Sequence, residues 1–132
     1  MMAYLDAVFV IIQQDTSQAT YQIQRFEGGK IYINHHAYSE SVIIRPHQLI
    51  VPWEPKQLND LKPIHFTPLY PTLPAILLLG TGSSHQIPPM SLLMPFWEKG
   101  VGVEIMDSQK ACFTYTVLAA EGREVAACIL IN

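Results

Sequence analysis

Residues 75–79 are five apolar residues in a row, with Pro74 ahead of them and Gly80 and Gly82 close behind. A strand that is apolar at both parities has no solvent face, so it has to be covered on both sides. The rest of the chain must therefore supply one layer above this strand and another below. In an open α/β sheet, the loop at the carboxyl end of such a strand is where a ligand is usually held.

The segments after the strand fit that demand. Residues 90–99 have helical spacing, with Leu93, Phe96 and Trp97 on one face, Pro95 weakening the first half and Gly100 closing it. Residues 101–106 read as a strand, and Asp107 is placed to cap a second helix over residues 108–120. That helix buries Ala111, Cys112, Tyr115, Leu118 and Ala119, and Gly122 ends it. Residues 124–131 form a last strand that again needs cover on both faces. Strand, helix, strand, helix, strand is the pattern of an α/β layer.

The amino-terminal half is richer in strands. Residues 5–13 are ambiguous between helix and strand, and β-branching favours the strand. Residues 21–26 and 31–33 flank Glu27-Gly28-Gly29-Lys30 as a β-hairpin, and residues 41–45 and 49–51 are short strands stopped by Pro46 and Pro52. Trp53 either plugs one end of the core or anchors a partner. Residues 57–62 allow one short helix, with Leu58 and Leu61 inward and Pro63 as its stop, and the prolines beyond exclude long regular structure. The chain of 132 residues is thus expected to form a single α/β domain with an attached antiparallel ribbon.

Composition narrows the function. Hydrophobic residues make up 49% of the chain and charged ones only 14%, which leaves part of the surface apolar enough to seek a partner. The net charge is −3 and the basic residues are scattered, so a phosphate backbone finds no footprint and nucleic acid is excluded as a partner. No apolar run approaches the roughly 20 residues of a membrane span, and Met1 to Asp6 carries no basic residue of the kind that opens a signal peptide. Cys112 and Cys128 lack metal or redox spacing and read as buried reduced thiols, so the expected location is the cytoplasm.

Two places could carry chemistry. Gly80, Thr81, Gly82, Ser83 and Ser84 let the backbone approach a ligand, and their N–H and hydroxyl groups could hold an anion. The loop lacks the third glycine of a dinucleotide fingerprint and the Lys-Ser/Thr of a P-loop, so a plain turn is the other reading. Asp107, Thr114, Glu121 and Arg123, with Tyr115, form the second group. Asp107 faces the Gly80 loop if the two strands are neighbours, although capping explains Asp107 and an ion pair explains Glu121 with Arg123. Ser83 or Ser84 with His85 and Asp107 lacks the nucleophile elbow of a hydrolase. The five histidines are dispersed, so neither a metal nor another cofactor is expected.

The GTG loop, the Gly100-x-Gly102-Val103-Glu104 strand with Met106-Asp107, Pro52-Trp53, the strand over residues 41–45, and Thr114-Tyr115 with Leu118, Glu121 and Arg123 are together distinctive. They resemble a small family of unknown function that includes the mitochondrial complex I assembly factor 3, the adipogenesis-associated domain protein and many bacterial members. The resemblance implies a three-layer α/β fold with a mixed central sheet, no established reaction, and action through protein contacts. After Met106-Asp107 the family pattern has Thr and then Arg-Thr-Tyr-Asn, whereas this chain has Ser108, Phe113 and Thr116 at the three differing places. Two polar groups that relatives could offer an anion are thereby lost, and Phe113 adds apolar surface. The expectation is a non-enzymatic protein that binds a protein partner, with homodimerisation through residues such as Phe113 also open. The alternative is a small-molecule or anion site, enzymatic or not, between the Gly80 loop and Asp107.

Overall fold

The apolar run over residues 75–79 lies in an inner strand covered on both faces. The computed structural model describes residues 19–132. Strands β1 (Ile23–Glu27), β2 (Lys30–Ile33) and β3 (His36–Tyr38) form an antiparallel sheet in that order. Strands β4 (Val42–Arg45), β5 (Gln48–Ile50), β6 (Ile76–Gly80), β7 (Gly102–Met106) and β8 (Val125–Ile129) form a second sheet in the order β5-β4-β8-β6-β7. β6 is parallel to β7 and β8, whereas β4 is antiparallel to β5 and β8, so this sheet is mixed.

Alternation along β6 explains why it has no polar position. Leu78 faces a core shared with Ile44, Ala127, Ile129 and Tyr115, while Leu77 and Leu79 face another shared with Trp53, Phe66, Phe96 and Cys128. Helix α1 (Met94–Glu98) lies on the second side and helix α2 (Ser108–Ala120) on the first. The chain steps outward from β6 to β7 and then back past β6 to β8, which puts the two helical connections on opposite faces. The small sheet shares the first side with α2, through Ile23, Ile31 and Ile33. The three-layer α/β fold with a mixed central sheet is thus present.

Several details differ from the sequence reading. The middle of the sheet belongs to β8, every residue of which is buried, and β6 lies between it and the edge strand β7. The expected hairpin gains a third strand, because Asn34 and His35 both adopt positive φ, 49° and 71°, and reverse the chain in two residues. Without a glycine there, the turn was hidden. The helix over residues 90–99 is divided: Met90–Leu92 forms one 3-10 turn, and α1 restarts with Pro95 in its first turn. Leu93 and Phe96 then take the inward positions, while Trp97, about 100° further round, is left 37% exposed instead of joining them. Residues 57–62 contain a single 3-10 turn, Leu58–Asp60, and the proline-rich stretch that follows forms another, Pro63–Leu69. The strand proposed for residues 5–13 lies outside the described residues.

Candidate functional site

The parallel pairing of β6 with β7 sets Gly80 opposite Met106, so the loop after β6 and the start of α2 meet at one rim. The closeness of that meeting dictates the residue at position 80. A Cβ on Gly80 would lie 3.0 Å from Ala111 Cβ, Ser108 Cα and Ser108 Oγ, so any larger residue would push the helix outward from its seat on the strand by a few tenths of an ångström. Gly82 turns the chain with φ of +101°.

The polar groups of the turn are directed into the protein. The Ser108 hydroxyl is buried, donates to the Leu130 carbonyl at 2.6 Å and accepts the Gly82 N–H at 2.9 Å, while the Ser108 N–H donates back to the Gly82 carbonyl at 2.8 Å. Thr81 is also buried. Its N–H donates to the Met106 carbonyl at 2.8 Å, and its hydroxyl donates to the Ser84 carbonyl at 2.7 Å and accepts the Gln86 N–H at 3.1 Å. Asp107 caps α2, its Oδ1 accepting the Lys110 N–H at 2.8 Å. The N–H groups of Thr81, Gly82, Ser108 and Lys110, which an anion at this turn would recruit, therefore already have protein partners.

Ser83, Ser84 and His85 are the exposed part of the loop. Ser84 Oγ accepts from Gln86 Nε2 at 3.4 Å, and among the described residues no hydrogen bond joins His85 to either serine or to Asp107. A groove of about 260 Å³ beside β7 is lined by His85, residues 104–107 and Lys110, without Thr81 or Ser83. The remaining proposed residues lie elsewhere. Thr114 is half-buried in the middle of α2, and Glu121 and Arg123 pair at 3.6 Å beyond its carboxyl end, about 20 Å along the helix from Asp107. The rim thus gathers Gly80, Thr81, Gly82, Ser83, Ser84 and Asp107, and leaves out Thr114, Glu121 and Arg123.

A larger groove of about 510 Å³ lies further along the same rim, between Ser39, Ser41, Trp53, Lys56 and Asn132. It adjoins the Gly80 loop through Asn132, whose Nδ2 would lie 3.0 Å from a Cβ on Gly82. No local pattern marks it, because only the antiparallel pairing of β4 with β8 brings residues 90 positions apart together, with the Ile131 N–H donating to Ser41 Oγ at 2.9 Å. Trp53 floors this end as a plug: its indole N–H donates to the His65 carbonyl at 2.9 Å and its ring meets Phe66 edge-on.

The two thiols sit deeper and are held as thiols. Burial pushes Cys112 up to about 12, with the Asp107 carboxylate adding to the effect. Burial also raises Cys128, against a smaller lowering by Arg45. Neither has the electropositive, exposed surroundings of a nucleophile.

The model of a family described as "Protein of unknown function (DUF498/DUF598)" matches residues 23–130, in accord with the resemblance read from the sequence. The chain is 29% identical over 122 residues to the "13 kDa major membrane protein" of Francisella tularensis subsp. holarctica (strain LVS), an alignment covering 91% of this chain and 98% of that one. It is 25% identical to the human "NADH dehydrogenase [ubiquinone] 1 alpha subcomplex assembly factor 3", covering 91% of this chain but only 65% of the length of that relative. Among solved structures, it resembles the NMR structure of a Xanthomonas campestris protein with a TM-score of 0.76 and 32% identity, over 92% of each chain. No helix among the described residues is long and apolar enough to cross a membrane.

Proposed function

The chain belongs to the family of proteins of unknown function DUF498/DUF598, and from that premise we propose that it acts without chemistry of its own, by binding a protein partner during assembly of a larger complex. The observation that carries this reading is the apolar surface on the α1 side of the sheet. Met94 and Trp97 are 46% and 37% exposed and lie three positions apart on α1, about 100° round the helix from the buried pair Leu93 and Phe96. Tyr70 stacks on Phe96 with centroids 5.3 Å apart and is itself part-exposed. Aromatic and methionine side chains gathered on a thinly charged surface are the usual centre of a protein interface. The name of the human relative, an assembly factor, agrees with this use. The two buried thiols suit a reducing compartment, so we place the activity in the cytoplasm.

The test is affinity purification of the tagged full chain, expressed at its natural level, beside two variants. Met94→Glu/Trp97→Glu is expected to lose the co-purifying protein at least about tenfold, because charge is placed in the interface centre. Ser83→Ala/Ser84→Ala, which strips the exposed hydroxyls of the rim, is expected to retain it. Loss in the serine variant with retention in the Met94/Trp97 variant would move the function to the rim and overturn the reading.

A further inference from the structure

Helix α2 is apolar on two opposite sides. Ala111, Cys112, Tyr115 and Ala119 are buried against the sheets, yet Phe113 and Val117 are 70% and 40% exposed. At about 100° per residue, Lys110, Phe113, Val117 and Glu121 fall within about 80° of one another on the face pointing directly away from the core. All four are exposed. A helix that is apolar on both sides is ordinarily covered on both.

The order of groups along this stripe identifies what covers it. A cation stands at one end, a phenyl ring and an isopropyl group in the middle, and a carboxylate at the other end, about 16 Å from the cation. We infer that α2 packs antiparallel against α2 of a second copy, about a two-fold axis passing near residues 115 and 116. Phe113 then meets the partner's Val117, and Lys110 meets the partner's Glu121, each contact occurring twice by symmetry. A parallel arrangement would set lysine against lysine and glutamate against glutamate, so the charges select the antiparallel one. Lys110 has no ion pair among the described residues, and Glu121 is held only by the exposed contact with Arg123 at 3.6 Å. Both are available to a second copy.

One helical stripe covers less than the roughly 800 Å² per partner of a standard interface, so the dimer is weak and forms with rising concentration. It does not rest on the proposed partner surface. Met94 and Trp97 lie on the other side of the sheet, and both surfaces can be occupied together.

Sedimentation velocity of the full chain over a wide concentration range tests the inference. The unaltered chain is expected to shift from monomer to dimer. Phe113→Arg weakens the association at least about tenfold, by placing cations at the centre of the contact. Lys110→Glu and Glu121→Lys each weaken it about three- to tenfold, because each creates two like-charge contacts. The double exchange Lys110→Glu/Glu121→Lys restores it to within about twofold of the parent, since opposite charges again face each other. All of these side chains are exposed, so the fold tolerates each change, and circular dichroism confirms it. A chain that stays monomeric throughout, a dimer that survives Phe113→Arg, or a double exchange no stronger than the single ones overturns the inference.

Discussion

Replacing Ser108 with alanine removes one oxygen and should cost far more than its surface area suggests. The hydroxyl is fully buried and serves two backbone groups from different segments, the Gly82 N–H at 2.9 Å and the Leu130 carbonyl at 2.6 Å. In Ser108→Ala both lose that partner inside the protein. Each buried orphan costs about 1–3 kcal/mol, and alanine returns a few tenths through better helix propensity, so the net loss of the two together is about 1.5–5.5 kcal/mol. A domain of this size has roughly 5–15 kcal/mol of stability to lose, and the change should lower Tm by about 10 °C. Urea unfolding followed by the fluorescence of Trp53, which is buried edge-on to Phe66, measures the loss directly. Ser83→Ala, an exposed change in the same turn, should stay within about 0.5 kcal/mol of the parent. If Ser108→Ala also stays within about 0.5 kcal/mol, the hydroxyl is not what holds the Gly80 turn to α2, and the account of the rim fails.

Three other measurements follow from the same structure. His35→Gly should raise stability by about 0.5–1 kcal/mol in the same urea assay, because it relieves a non-glycine residue held at φ of 71° and keeps the backbone N–H that donates to Gln24 Oε1. Asp107→Ala should cost about 1 kcal/mol by removing the acceptor for the Lys110 N–H, while Asp107→Asn keeps an oxygen there and should cost much less. Cys112 stays protonated in the folded protein up to about 12, against 9.0 for an exposed thiol, so the folded state holds a proton that the unfolded state releases. Cys128, raised in the same way, adds to this, so the two contributions are complete below pH 9.0 and should fall together as pH rises toward 12, by at least about 2.8 kcal/mol per pH unit at about 1.4 for each thiol, which a series of urea titrations at increasing pH would record.

What the sequence made legible was periodic. The apolar run of β6, the near-continuous run of β8 and the i, i+4, i+8 spacing of Ala111, Tyr115 and Ala119 each require one kind of cover, and Asp107 marks the start of α2. What stayed hidden depends on contacts between distant segments. β3 was missed because its turn uses Asn34 and His35 where glycine is the usual marker. Helical spacing over residues 90–99, even with Pro95 weakening its first half, puts Trp97 on the face of Leu93 and Phe96, and the restart with Pro95 in the first turn of α1 settles the inward positions on Leu93 and Phe96 alone. Gly80 reads from the sequence only as part of a ligand-approach loop. Its missing side chain makes room for Ser108 and Ala111 of α2, a contact 28 and 31 residues away that no local pattern encodes. The groove between Ser41 and Asn132 was equally invisible, since only the β4 and β8 register creates it.

The central claim is that a protein covers the Met94 and Trp97 surface in the living cell. Photo-crosslinking tests it most directly, with a photoreactive phenylalanine analogue placed at position 97 of the full chain and, as the comparison, at the exposed rim position 84. The account predicts one discrete protein adduct from position 97 and none of that size from position 84. Adducts from position 84 alone, or none from position 97 while the chain is folded and abundant, would contradict it.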